Sequence, residues 1–124
     1  MRLGGGGALI LFRSRAKDGT VYWGGGTRRD GNGTTRTVTP DEITFEAVRE
    51  WRSPRTSLAY PVAMRIRAGD IALTIEPLLD DQELDARSSV GTIYWEGAVR
   101  ASVAGRVVGR GYLELTGYGA PLRI

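Results

Sequence analysis

Residues 93–118, Ile93-Tyr94-Trp95-Glu96-Gly97-Ala98-Val99-Arg100-Ala101-Ser102-Val103-Ala104-Gly105-Arg106-Val107-Val108-Gly109-Arg110-Gly111-Tyr112-Leu113-Glu114-Leu115-Thr116-Gly117-Tyr118, decide how the chain is read. Two arms flank a short loop around Ala104-Gly105-Arg106. Successive side chains of a strand alternate between faces. In the first arm Trp95, Gly97, Val99 and Ala101 share one face, and Tyr94, Glu96, Ala98 and Arg100 the other. In the second, Gly109, Gly111, Leu113 and Leu115 lie opposite Val108, Arg110, Tyr112, Glu114 and Thr116. A slip of one residue would set Leu113 among charges and Glu114 beside Trp95, so register is strongly constrained. The consistent pairing puts Glu96, Tyr112 and Glu114 on one face, where the glutamates oppose each other or each faces a tyrosine. Apposed carboxylates repel unless one is protonated or both bind something, which makes Glu96 and Glu114 the candidate acids. The competing reading is a solvated face with the glutamates paired to Arg100 and Arg110. Which face turns inward is open, and the choice separates Trp95 from Tyr112.

The same period of two extends to both sides. In residues 60–67 Val62, Met64 and Ile66 alternate with Ala63, Arg65 and Arg67. After Ala68-Gly69-Asp70, Ile71, Leu73 and Ile75 alternate with Ala72, Thr74 and Glu76, so the two runs form a hairpin that Pro77 ends. Residues 8–15 and 20–24 read as strands around the turn Lys17-Asp18-Gly19, and Gly24-Gly25-Gly26 as a break or bulge that bends the wall. Asp30-Gly31-Asn32-Gly33 is the clearest turn. Residues 40–51 admit two readings. Thr39-Pro40-Asp41-Glu42 has the form of a capping box, with Ile43, Ala47 and Trp51 at helical spacing. As a strand, Ile43, Phe45 and Ala47 would share a face instead.

The chain has 124 residues, which suits one domain over residues 1–124. It has neither Cys nor His, which excludes disulfides, zinc ribbons, thiol nucleophiles, His-based triads and His-ligated metals. Of its 17 basic residues only Lys17 is lysine, and the arginines are dispersed rather than gathered into a stripe. A net charge of +3 therefore marks a solvated surface, with no nucleic-acid footprint. No run of 18 apolar residues exists, so no membrane span is expected. The apolar run 8–12 is too short for a signal peptide and is followed by Arg13 and Arg15, which favours a cytoplasmic location.

Three further stretches have chemical letters without chemical patterns. Asp80-Asp81-Gln82-Glu83 with Asp85 lacks the periodicity and central glycine of a calcium loop, and reads as a polar loop or edge strand rather than a metal site. Gly4 to Gly7 is followed by no Lys-Ser/Thr pair and is no phosphate loop. Ser53-Pro54-Arg55-Thr56 is a turn, since a serine without a base is inert.

Tyr94-Trp95-Glu96-Gly97-Ala98-Val99-Arg100, followed by Gly109-Arg110-Gly111-Tyr112-Leu113-Glu114-Leu115-Thr116-Gly117-Tyr118, resembles the C-terminal signature of the carotenoid hydratase (hydroxyneurosporene synthase) and AttH-like family. Leu11-Phe12-Arg13 with Asp18-Gly19, Trp51-Arg52-Ser53-Pro54, Tyr60-Pro61-Val62 and Asp81-Gln82-Glu83-Leu84 match in the same order, so the resemblance covers nearly the whole chain. It implies an all-β fold, an antiparallel lipocalin-like (calycin-type) β-barrel or strongly curved sheet of eight or so strands, and a strand over residues 43–51. Family members have two such barrels, and the chain resembles the second. Enzyme members hydrate a terpenoid carbon–carbon double bond by acid catalysis, with the proton-donating Asp upstream of the matched region. That acid has no counterpart here.

The leading expectation is a binding module for a small hydrophobic, terpenoid- or lipid-like ligand, non-catalytic alone and without a cofactor. Its ligand-binding candidates are Tyr94, Trp95, Tyr112, Glu114, Tyr60 and Trp51. The enzyme alternative is a homodimer that recreates the two-barrel architecture and uses Glu96 or Glu114 as the acid of a hydratase or lyase. The third is a structural barrel whose interior is filled by its own side chains.

Overall fold

A computed structural model describes residues 1–119, except the side chain of Tyr22. Its described residues form ten strands: β1 (Arg2–Leu3), β2 (Ala8–Arg15), β3 (Val21–Arg29), β4 (Thr35–Val38), β5 (Ile43–Arg52), β6 (Ala59–Ala68), β7 (Ile71–Pro77), β8 (Glu83–Ala86), β9 (Thr92–Val103) and β10 (Arg106–Thr116). They make one antiparallel sheet in the order β4-β3-β2-β1-β10-β9-β7-β6-β5, with β8 continuing beside β9. The fold is the expected all-β, lipocalin-like one, in the strongly curved rather than the closed form.

The sheet curls until its two ends meet through side chains. Leu9 of β2 and Val38 of β4 enter one core with Ile66 of β6, Ile75 of β7, Val99 of β9 and Leu115 of β10. Across the seam Arg28 pairs with Asp70 at 2.6 Å and Arg36 with Glu42 at 3.1 Å. The Arg13 guanidinium of β2 lies 4.7 Å from the ring centre of Phe45 of β5, although these strands are not sheet neighbours. No backbone ladder joins β4 to β5 among the described residues.

The hairpin over residues 93–118 takes one of the registers that the alternation allows: Leu113 faces Gly97, and Leu115 faces Trp95. The odd-numbered face turns inward, with Trp95 fully buried. Enclosing a side chain of that size contributes roughly 2–3 kcal/mol. The glutamates are directly opposed, Glu96 to Glu114. The hairpin of β6 and β7 buries Val62, Met64, Ile66, Leu73 and Ile75, as its alternation requires.

Residues 40–51 combine their two readings. Pro40–Glu42 is a single 3₁₀ turn, with the Thr39 N–H donating to the Glu42 carboxylate, and then β5 runs extended. Helix propagation loses because Phe45 must join Ile43 against β6, a period of two. The glycines of β3 do not break it: Gly24, Gly25 and Gly26 pair with Arg13, Phe12 and Leu11 in continuous register. The irregularity lies nearer the start of β3, where Trp23 pairs with Ser14 but Val21 with Arg15. At Gly26 a Cβ would collide with the Ile10 carbonyl, which is why the wall can press so close there.

Gln82 joins β7 to β8 along β9. Leu78 N–H donates to the Ala98 carbonyl at 3.0 Å, and Glu96 N–H to the Gln82 carbonyl at 3.2 Å. Between them the Gln82 side-chain amide accepts from Ala98 N–H at 3.1 Å and donates to the carbonyls of Leu79 and Ala98. It occupies the space a Cβ on Gly97 would need.

Candidate functional site

The ends of β2, β5 and β10 and the starts of β3, β6 and β9 converge at one end of the curl. Register sets Trp51 of β5 against Tyr60 of β6, with stacked rings 6.3 Å apart. Tyr118, just beyond β10, lies 5.6 Å from the Tyr60 ring. The three make an aromatic wall. Arg15 reaches to 5.0 Å from the centre of the Tyr118 ring, and Arg13 covers Phe45 one step further in.

Behind this wall lies a carboxylate. The Glu83 side chain, at the start of β8, is 1% exposed. Its Oε1 accepts from Ser53 Oγ at 2.7 Å, and its Oε2 from Thr56 Oγ1 at 2.7 Å and Tyr60 OH at 2.8 Å. The Arg55 guanidinium stands 3.4 Å away and also pairs with Asp81. Burial raises the Glu83 pKa, but the three hydroxyl donors and the Arg55 charge outweigh it, and the net shift is downward. Burial and then the Glu83 carboxylate push the Tyr60 phenol upward. Glu83 is therefore a saturated anion. With every lone pair directed at a donor, it fixes the 53–58 loop to β6 and β8 rather than offering a proton.

Beside it opens a cleft of about 400 Å³ lined by Arg55, Thr56, Leu58, Arg87, Gly91, Thr92, Ile93 and Gly119. Thr56 is shared with the Glu83 cluster, and Gly119 follows Tyr118 of the aromatic wall. Arg87 is held by Asp85 at 2.7 Å. The arrangement offers apolar and aromatic surface, hydroxyls and guanidinium groups, which suit binding.

The site residues expected from sequence divide between two faces. Trp51, Tyr60 and Trp95 are on the inner face; Trp95 is sealed in the core, its Nε1 donating to the Asp80 carbonyl at 2.7 Å. Tyr94, Glu96, Tyr112 and Glu114 are on the outer face, where Tyr112 is 64% exposed. Burial and the neighbouring Glu96 raise the Tyr112 phenol pKa. Among the described residues neither Glu96 nor Glu114 pairs with Arg100 or Arg110. The acidic run is distributed: Asp80 binds Arg49, Asp81 binds Arg55, and Glu83 enters the interior. No group of three or more Asp or Glu among the described residues is arranged to hold a metal ion. Sequence reasoning missed Glu83, Ser53, Thr56, Arg13 and Arg15. The one signal for Glu83 and Ser53 was that Trp51-Arg52-Ser53-Pro54, Tyr60-Pro61-Val62 and Asp81-Gln82-Glu83-Leu84 all belong to matched motifs, which meet at one carboxylate; Thr56 had none.

Residues 1–118 match the AttH-like family model. The crystal structure of a protein assigned as an AttH, from Nitrosomonas europaea, superposes with a TM-score of 0.88 at 50% identity, over 94% of this chain and 36% of that one. Kievitone hydratase from Nectria haematococca is similar in fold, with a TM-score of 0.61 at 19% identity over 93% of this chain and 35% of its own. No curated protein matches the chain. The chain thus spans little more than a third of either solved relative. No helix among the described residues is long and apolar enough to cross a membrane. With its fold, its motifs and its matched length in agreement, this chain belongs to the AttH-like family.

Proposed function

We propose that this lipocalin-like domain binds a small, largely apolar molecule of terpenoid or lipid type at the open end of the curl. The observation that carries the reading is the 400 Å³ cleft at this end, near which Trp51 and Tyr118 stay partly exposed while packed on the fully buried Tyr60. That volume falls within the range of small-molecule sites, roughly 300–1,000 Å³. The centre of the sheet is packed, with Ile75, Trp95 and Val99 at 1% exposure or less, so the ligand belongs at the end rather than in the middle. Acid catalysis by Glu96 or Glu114 gains no support from this geometry. A carboxyl that protonates an alkene needs an enclosed apolar setting, and Glu114 is exposed on the outer face.

Farnesol, an uncharged terpenoid alcohol, tests the reading through tryptophan fluorescence. Saturable quenching that vanishes in Trp51→Phe and persists in Trp23→Phe is the expected result. A linear, non-saturating response, together with native mass spectra showing no bound farnesol, would overturn it.

A further inference from the structure

Four arginines project from the inner face on the β2–β3–β4 side, and they are treated differently at the two ends. Arg28 and Arg36, far from the opening, are neutralised: Arg28 by Asp30 and Asp70, Arg36 by Glu42 and Asp70. Arg13 and Arg15, at the opening, have no carboxylate within 4 Å among the described residues. The other guanidinium groups of this end are occupied. Arg55 and Arg87 hold carboxylates, and Arg52 donates to the Ser57 carbonyl at 2.6 Å.

Arg13 and Arg15 alternate along one strand, so their Cα atoms stand about 7 Å apart with both side chains on the same side. Each lies over an aromatic ring, Phe45 or Tyr118. Stacking satisfies the flat face of a guanidinium and leaves its in-plane N–H donors free for an anion. Burial and then the neighbouring Arg15 charge lower the Arg13 pKa, a repulsion that a bound anion would relieve.

We propose that Arg13 and Arg15 bind the anionic head of an amphiphile whose apolar part lies against Trp51 and Tyr118. The preferred ligand is thus a carboxylate-headed apolar chain rather than a neutral hydrocarbon. This rests on the reading that the open end takes an apolar molecule.

Decanoate and 1-decanol, which share a chain and differ in head charge, separate the two ideas when titrated into the full chain. The wild type is expected to bind decanoate about tenfold more tightly, the value of one net charge-assisted hydrogen bond. High ionic strength should narrow that gap. Arg13→Gln and Arg15→Gln should each remove most of the preference while decanol still binds saturably, whereas Arg110→Gln, on the outer face, should alter neither affinity. Equal affinity of the wild type for both compounds would overturn the head-group proposal and leave the binding reading standing. Binding of neither would overturn both. A decanoate preference retained in the Arg13→Gln/Arg15→Gln double variant would place the anion elsewhere and also overturn the proposal. Phosphate that displaces decanoate but not decanol would assign the same pair of arginines a general oxyanion preference, in support of it.

Discussion

The Tyr60 hydroxyl donates to Glu83 Oε2 across 2.8 Å, with the tyrosine fully buried and the carboxylate 1% exposed. This bond joins β6 to β8, which are not neighbours in the sheet. The loop that carries Ser53 and Thr56 is fastened to the same carboxylate.

Removing that charge should be costly. Glu83→Gln keeps the shape but sets an amide N–H donor where a carboxylate oxygen accepted from hydroxyls, and should lower stability by about 2–4 kcal/mol in urea unfolding. Glu114→Gln, on the exposed outer face, should change it by less than about 0.5 kcal/mol. Similar losses in the two variants would contradict the difference in burial.

The same carboxylate gives a pH dependence of defined sign. Its folded pKa lies below the unfolded value of about 4.3, so its stabilisation is complete above that value. It is lost as pH falls through the folded pKa. Asp81, also lowered, through its hydrogen bonds and ion pair with Arg55, acts in the same direction. Unfolding free energy should therefore drop as pH is taken below about 4, and the drop should be shallower in Glu83→Gln.

At the alkaline end Tyr60 acts in the opposite sense. Its folded pKa is raised above the unfolded value of about 10, so its contribution is present below that value and lost as pH rises beyond it. Spectrophotometric titration of the folded chain should show one tyrosine that ionises only on unfolding. In Tyr60→Phe that late component should be absent.

Gly97 and Gln82 should behave as a coupled pair. A methyl on Gly97 would occupy the position of the Gln82 amide, so Gly97→Ala should cost about 1–3 kcal/mol. On a Gln82→Ala background, where the side chain is already gone, the same substitution should cost much less. Additive losses in the double variant would show that the two do not share space.

Ser57 sits at φ 61°, in the left-handed region, and is exposed. Ser57→Gly should stabilise the chain by up to about 1 kcal/mol, and Ser57→Val should destabilise it.

How far these features could be read in advance depended on distance along the chain. The alternation over residues 93–118 excluded a one-residue slip, which would have put Glu114 beside Trp95, but a shift of two keeps every face and was left open. The alternation was also not enough for the choice of face, because both faces carry an aromatic residue: Trp95 on one, Tyr112 on the other. The buried face is the one that meets the Asp80 carbonyl and the Gln82 side chain, whose bonds to Trp95 and Ala98 span 15 and 16 residues. Glu83 was hidden for a similar reason. In sequence it belongs to an acidic run with every mark of a solvated loop, and the hydroxyls that justify its burial lie 23–30 residues away. Arg13 and Arg15 interrupt an apolar stretch, and only the curl of the sheet brings Phe45 and Tyr118 beneath them.

Strand β1 is two residues long, yet among the described residues every backbone ladder between the β2–β4 section and the rest of the sheet passes through it, by the pairs Arg2–Arg110, Leu3–Gly109 and Arg2–Ala8. Mechanically the molecule is two leaves on a narrow spine, latched at the far edge by Arg28–Asp70 and Arg36–Glu42. Arg13 and Arg15 ride on the smaller leaf; Phe45, Trp51 and Tyr60 ride on the larger. Any rotation of one leaf against the other would have to be taken up at this two-residue ladder and at the two ion pairs that latch the far edge.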